Sequence, residues 1–437
     1  MNRAGRSRAR STGKPARVGT SGDAPINYKE ALAWLYSLQR FGIKLGLENI
    51  RRLIATLGVD LAGARVIHVA GTNGKGSVCA MIDAICRAAK YRTGLFTSPH
   101  LVTFRERIRV NGDMISQDAV ANGLTNIRGL IAGWEPHPTF FEVTTALELH
   151  HFSECKIDIC ILETGLGGRL DATNAVASDV SVITPIDLDH QKWLGDSLRQ
   201  IAAEKAGIIK PKTPVVCAPQ LVEAEQVICK RAVECEAPLQ IITEIYERSP
   251  IALAGAHQRQ NAALAIATIR AANIDIDEAA IVRGLESVEW PGRFQRWDER
   301  LIIDGAHNPA AARVLARTWR EIFGDQRATL ILAILDDKDL RGIYEALASI
   351  SELVLLPKIR SDRAAAPEQL ARALESITPK CQSGSDLPYS ITESLAQALK
   401  AARARPNRIL LTGSLHFAGE ALAYLQGRPA AFEECVQ

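Results

Sequence analysis

The sequence predicts an α/β protein of two successive units, each built on a mainly parallel sheet. Three observations carry that prediction. Short β-rich apolar runs alternate with helix-period stretches along most of the chain, the pattern left by strand–helix–strand crossovers. At 437 residues the chain exceeds the size at which one hydrophobic core stops growing. A turn-rich stretch, Trp290-Pro291-Gly292-Arg293, separates one strand–helix series from a second.

The elements follow in order. Residues 1–25 hold six basic side chains, at Arg3, Arg6, Arg8, Arg10, Lys14 and Arg17, among Ser, Gly and Pro. Almost no large apolar residue accompanies them, so this stretch is expected to be a disordered tail outside the fold. The net charge of +3 leaves the remainder near neutral. The first unit is expected over 26–292. Leu32, Leu35, Leu38, Ile50, Leu53 and Ile54 fall at helical spacing on either side of a Phe41–Lys44 loop. Strands are expected at Val66–Ala70, Thr93–Phe96, Ile157–Leu162 and Val180–Thr184, with helices at Val78–Ala89, Leu198–Gly207 and Asn261–Ala272. The second unit, 293–437, reads as Rossmann-like and doubly wound. Its strands are at Leu301–Asp304, Thr329–Ile334, Leu353–Leu356 and Ile409–Thr412, and its helices begin near Ala310, Leu340, Pro367 and Leu395.

Composition narrows the class of function. Hydrophobic residues make up 47% and charged residues 23%, and no apolar run is long enough to cross a bilayer. Nine cysteines without Cys-x-x-Cys spacing argue against a disulfide framework and a structural zinc site. A cytoplasmic, monomeric protein acting on small molecules is expected, with neither nucleic acid nor membrane as partner.

The strand at Val66–Ala70 runs into Gly71-Thr72-Asn73-Gly74-Lys75-Gly76-Ser77 and then a helix. Glycines let backbone N–H groups approach phosphate oxygens, the helix N-terminus adds positive potential, and Lys75 offers a mobile charge to the outer phosphates. A polyphosphate fits such a site. The ordinary G-x-x-x-x-G-K-[ST] loop is not matched, because Val69 and Gly76 stand where glycine and a hydroxyl residue are required.

Further carboxylates and a histidine gather at strand ends. Ile157–Leu162 ends in Glu163, followed by Gly165, Gly167 and Gly168. The C-terminal edge of a parallel sheet is where ligands bind, which places Glu163 to hold a hard cation such as Mg²⁺. An adjacent strand ends in Asp187-Leu188-Asp189-His190, making His190 a second candidate ligand. Lys205, in Glu204-Lys205-Ala206-Gly207, reads from its residues alone as a helix-end lysine.

The Gly-Thr-Asn-Gly-Lys-Gly-Ser loop and the ordered series after it resemble the folylpolyglutamate synthase/dihydrofolate synthase family of the Mur ligase superfamily. That resemblance implies a P-loop Mur-ligase-type central domain followed by a Rossmann-like glutamate ligase domain. It assigns ATP to Gly71, Thr72, Asn73, Gly74, Lys75, Gly76 and Ser77, with Asn261 at the base and Arg293 and Asp304 from the second domain. Ser98, in Thr97-Ser98-Pro99-His100, resembles a magnesium ligand on an Ω-loop, joining Glu163 and His190. Lys205 matches a lysine carbamylated by CO₂, and with Lys75 and His307 it is expected among the catalytic groups. Phe41, Gly42, Ile43, Lys44, Thr139, Phe140, Phe141, Glu142, Leu170, Asp171 and Ala172 match segments that contact a pterin. The pattern departs from the family at Ala333–Asp339, which lacks a leading glycine, and at His416, where tyrosine is common.

The implied activity is an ATP-dependent amide ligation. The carboxylate of dihydropteroate, of a reduced folate, or of both joins the amine of L-glutamate through an acyl phosphate. Two alternatives are a Mur-type peptidoglycan ligase and a noncatalytic nucleotide-binding module. The first would need a nucleotide-sugar domain before the loop, where only about 45 foldable residues stand. The second leaves Glu163 and Lys205 beside Lys75 without a purpose.

Overall fold

The computed structural model describes residues 26–42, 46–377 and 387–433. The tail assigned to 1–25 lies outside these residues, as do Ile43, Lys44 and the side chain of Phe41. Among the described residues, two sheets hold eight and six strands. The first contains β1 (Arg65–Ala70), β2 (Thr93–Phe96), β3 (Ile108–Val110), β4 (Asp113–Met114), β5 (Ile159–Glu163), β6 (Val180–Ile183), β7 (Val215–Cys217) and β8 (Leu239–Ile241), in the order β4-β3-β2-β5-β1-β6-β7-β8. The second contains β9 (Gln295–Arg296), β10 (Leu301–Ile303), β11 (Ala328–Leu332), β12 (Ser351–Pro357), β13 (Tyr389–Thr392) and β14 (Ile409–Thr412), in the order β13-β12-β11-β14-β10-β9.

Both sheets are parallel through their centres and antiparallel at one edge, where β3 and β4 close the first and β9 the second. Those edge strands are two or three residues long, too short to show a period in the sequence. The first sheet is covered on both faces. Ile67 and Val69 of β1 pack with Val78, Ile82 and Ile85 of the helix Lys75–Ala88 and with Leu264 and Ile269 of the helix Ala256–Ala271. Val66 faces the other way, with Cys160 and Leu162 of β5, towards the helices Tyr28–Ser37, Glu48–Leu57, Gln117–Ile131 and Phe140–Cys155. Period-2 alternation sorts one strand into two cores.

Several boundaries differ from the sequence reading. The helix after the glycine loop begins at Lys75, not Val78, so Lys75 is its first residue. The helix expected from Asn261 begins at Ala256 behind Gly255, whose φ of +104° suits glycine. Helices at Gln117–Ile131 and Phe140–Cys155 were not foreseen. The latter is buried on most of its surface, which removes the polar–apolar period that signals a surface helix.

Candidate active site

Strand order explains the site. β2, β5, β1 and β6 are neighbours, so the loops after their C-terminal ends meet along one edge. These loops carry Ser98, Glu163, Gly71–Lys75 and His190. Glu163 and His190 are therefore not on adjacent strands as expected, because β1 lies between β5 and β6. In the second sheet β11, β14 and β10 are likewise neighbours. The ends of these strands lead to Lys338, Ser414 and Asp304–Asn308.

The glycine loop is pinned before it can meet a ligand. The Thr72 and Asn73 amides both donate to the Pro185 carbonyl, at 3.0 and 3.1 Å. Gly71 lies so close to Thr184 that a Cβ there would sit 1.8 Å from Oγ1, and Gly74 has a φ of +89°. The amides directed at a ligand are therefore those of the first helical turn from Lys75, which has no preceding turn to bond to.

Lys75 Nζ donates to Thr72 O at 3.3 Å and stands 3.9 Å from Glu163 Oε1. Glu163 Oε2 accepts the Ser98 amide at 3.2 Å. Burial pushes the Glu163 carboxyl up, opposed by Lys75, the Ser98 amide and Arg293. Ser98 Oγ and Thr164 Oγ1 are buried without a hydrogen-bond partner.

Lys205 ends its helix as the sequence indicated, but it is buried, with only 5% of its surface exposed. Its Nζ donates 2.7 Å to the Gly71 carbonyl. Burial, reinforced by the charge of Lys75, lowers its pKa to about 7. Burial likewise lowers His190 to about 4, leaving a neutral imidazole able to ligate. Among the described residues no three His, Cys, Asp or Glu side chains converge as a metal cage. An ion here would complete its shell with phosphate oxygens and water, as magnesium commonly does.

Asp189, one residue before His190, is a junction that the sequence reading passed over. It accepts from Lys338 Nζ at 2.6 Å and Asn308 Nδ2 at 3.1 Å, and His307 Nε2 lies 3.6 Å away. Burial works to raise its carboxyl, but His307, His190 and Lys338 outweigh that and hold it below the ordinary carboxylate range. Asn308 Nδ2 also reaches Asn73 Oδ1 of the glycine loop at 3.1 Å. The spaced aspartates of Asp187-Leu188-Asp189 were the available signal. Asn308 was masked by its other role, capping the helix Pro309–Phe323.

Both sheets line one cavity of about 390 Å³. Residues 71–77, Ser98, Glu163, His190, Lys205, Asn261, Arg293, Asp304 and His307 all border it. Arg293 is held by the Gly292 carbonyl at 3.0 Å, and burial pulls its guanidinium down. Asp304 accepts the Phe294 and Ala306 amides at 2.7 and 2.8 Å, and burial pushes its carboxyl up. His307 Nδ1 pairs with the Gly305 carbonyl at 2.9 Å. Asn261 bonds Gln258 at 3.0 Å, and the space a Cβ on Gly74 would take lies 3.1 Å from its Oδ1. Beyond Asn261 the cavity reaches His257 Nδ1 and Thr318 Oγ1, both buried and unpartnered. Neither stood out in the sequence.

Among the described residues, those matched to a pterin do not border this cavity. Thr139 and Glu142 form a capping box on the helix Phe140–Cys155, with Glu142 Oε2 accepting from Thr139 N at 2.8 Å and Oγ1 at 2.9 Å. Phe140 turns into the core and stacks on Tyr36 at 5.7 Å. Phe141 instead leans over Gly165, where a Cβ would be 2.5 Å from its ring. Asp171, between half-buried Leu170 and buried Ala172, accepts from Gly165 N at 2.9 Å, Leu166 N at 2.8 Å and Thr173 N at 3.1 Å. Gly42 is exposed.

The chain resembles known proteins over most of its length. Residues 69–220 match the Mur ligase middle domain and residues 292–415 the Mur ligase glutamate ligase domain. The chain is 35% identical to the dihydrofolate synthase/folylpolyglutamate synthase of Bacillus subtilis over 424 residues, 89% of this chain and 97% of that one. The structure of Escherichia coli FolC in complex with DHPP and ADP aligns with a TM-score of 0.80 and 33% identity, over 91% of this chain and 98% of that one. The bifunctional folylpolyglutamate synthase/dihydrofolate synthase of Yersinia pestis complexed with AMPPNP and Mn ion gives 0.82 and 30%, over 93% and 100%.

Proposed function

The chain belongs to the dihydrofolate synthase/folylpolyglutamate synthase family of Mur ligases, and on that premise we propose that it is an ATP-dependent ligase joining L-glutamate to the carboxylate of dihydropteroate, of a reduced folate, or of both. One observation carries the reading. The edge of the first sheet presents Lys75, Glu163, Ser98 and a buried Lys205 across a single cavity from Arg293 and His307 of the second unit. No serine or cysteine nucleophile is needed, because the groups gathered are those that hold phosphate and neutralise charge.

The nucleotide triphosphate lies along residues 71–77 with its base towards Asn261, and Asp304 with Arg293 closes over it from the second unit, which we divide from the first at 292/293. Ser98, Glu163 and His190 hold Mg²⁺. The unpartnered Ser98 Oγ and the loosely paired Glu163 suit a hard cation. Bound there, magnesium would neutralise phosphate oxygens. The acceptor carboxylate attacks the γ-phosphorus and ADP leaves, with Lys75 and Arg293 facing the charge that develops. The glutamate amine then attacks the acyl carbon, losing a proton as phosphate departs. His307, which lines the cavity from the second unit beside Asp189, is the group we assign to this second step.

Lys205 is carbamylated. A lysine lowered to about 7 offers an unprotonated amine at neutral pH, which adds to CO₂ and releases one proton to give a carbamate beside the phosphate loop. The acceptor's flat ring lies along the Phe41–Lys44 loop, Thr139–Glu142 and Leu170–Ala172, with Phe141 as its aromatic face. Among the described residues no helix is long and apolar enough to cross a membrane, and we place the enzyme in the cytoplasm as a monomer.

The test is ADP release by the purified protein with MgATP and L-glutamate, comparing dihydropteroate, tetrahydrofolate and no acceptor. Turnover with the first establishes dihydrofolate synthesis, with the second glutamate-chain extension, and with both a bifunctional enzyme. ATP binding without acceptor-dependent release sinks the ligase reading.

A further inference from the structure

The loop that carries Ser98 leaves β2 in the first sheet, yet its middle belongs to the second unit. Leu101 is buried among Leu301, Ile303, Phe417, Ala418 and Leu422. Its carbonyl lies against the helix Leu415–Leu425 so tightly that a Cβ on Gly419 would stand 1.9 Å from the oxygen. A second attachment follows at the end of the described chain. Glu433 accepts from Thr103 Oγ1 at 3.0 Å, from the Phe104 amide at 2.5 Å and from the Tyr28 hydroxyl at 3.1 Å. Its backbone takes part as well, with its N–H donating to Val102 O at 2.8 Å. Arg107 Nε donates to His100 Nδ1 at 2.9 Å, so His100 Nε2 carries its hydrogen and donates to Glu433 O at 3.1 Å. Phe432 rests edge-on against His416, which borders the cavity.

Within the loop there is little slack. Glu106 gathers the amides of Leu101, Val102 and Thr103 at 2.8, 2.9 and 2.9 Å. The Thr97 amide bonds Arg107 O at 3.0 Å, and the Ser98 amide reaches Glu163. A displacement at Leu101 or Thr103 is therefore passed to Ser98, whose buried hydroxyl has no partner to hold it.

We propose that Gly419 and Glu433 are positioning residues which, by receiving Leu101 and the turn at Thr103–Phe104, hold Ser98 against Glu163, so that the metal–nucleotide complex binds tightly only while the C-terminal helix and strap are docked. The proposal rests on the reading of Ser98 as a magnesium ligand. Neither residue lines the cavity.

Gly419→Ala and Glu433→Gln test it in the full chain. The first adds a methyl group that helix interiors favour, and the second keeps size and shape, so folding is expected to survive both. Binding of a non-hydrolysable ATP analogue is measured by calorimetry across a Mg²⁺ titration and again in EDTA, with amide exchange followed over residues 97–107. The expected result is an apparent Mg²⁺ constant raised about tenfold or more in each variant, the range seen when a ligand's supporting partners are removed. Faster exchange in the loop and EDTA affinity within about twofold of wild type complete it. An unchanged Mg²⁺ constant overturns the proposal, whether or not exchange quickens. So does an equal loss with and without metal, which would mark general damage. Because binding is read without turnover, absence of ligase activity would count against the proposed reaction and leave this result standing.

Discussion

Two groups of buried polar side chains in the first unit differ in whether their partners are already present. Glu142 is satisfied by its own helix cap, and Asp171 by the amides of Gly165, Leu166 and Thr173, whereas Glu148 near Asp171 has both carboxylate oxygens buried without a partner and burial pushes its carboxyl up. Around Glu163 the partners are incomplete. Lys75 stands 3.9 Å away, and the hydroxyls of Ser98 and Thr164 have none. A buried polar group without a partner costs about 1–3 kcal/mol, so such groups persist where a ligand supplies what the protein withholds. The capped and bonded carboxylates of Glu142 and Asp171 hold the shape of the segments along which we propose the acceptor lies, and the unpartnered groups around Glu163 are left open to the nucleotide and metal of that proposal.

That contrast breaks first at Lys75. Lys75→Ala is expected to lower kcat/KM by about 10³, since it removes a charge aimed at the transferring phosphate, with little change in Tm. A loss under tenfold in ADP release would place Lys75 with the scaffold. Lys205→Ala is expected to cost about 10², partly restored by small carboxylates added in solution. Its wild-type pH dependence follows from the sign of the shift. With the folded pKa near 7 and the ordinary value at 10.5, the unprotonated amine and the carbamate gain as pH rises through 7, and activity falls below it. The unfolded chain binds more protons between those values, so stability also rises with pH there, a slope that Lys205→Met should abolish in urea titrations.

Asp171→Asn sharpens the other side. An amide nitrogen would be turned towards N–H donors, costing about 1–3 kcal/mol and loosening the Gly165–Leu166 loop, read as a lower Tm with kcat/KM down about tenfold. Glu142→Ala should be the mildest, removing half of a capping box for about 1 kcal/mol and about 2 °C in Tm. A tenfold change in KM for the acceptor with Tm held would show that the Glu142 side chain itself meets the acceptor, beyond its part in the helix cap.

What was legible in the sequence follows the same division. Strand ends announced themselves, because glycines and charges after apolar runs mark the edge where Lys75, Glu163 and His190 were placed, whereas Lys205 read only as a helix-end lysine until the family resemblance singled it out. The burial of Lys205 was not visible, since its neighbours in sequence are not its neighbours across the loop. Nor was Asp189, whose partners Asn308 and Lys338 stand more than a hundred residues away on another sheet. Segment matches at Phe140 and Glu142 gave positions without orientation: Phe140 stacks on Tyr36 in the core, and Glu142 closes a helix cap. Strand order was likewise hidden, which is why His190 was set beside Glu163 when β1 stands between them.

The bonds from Lys338 and Asn308 to Asp189, with that from Asn308 to Asn73, span the two sheets in the manner of a clasp. Hydrogen bonds fade within about half an ångström of their best length, whereas attraction between charges reaches several times farther. Moving the second sheet away would break all three hydrogen bonds at short range and leave only the longer-range pull of Lys338 on Asp189, a guide back to the same alignment.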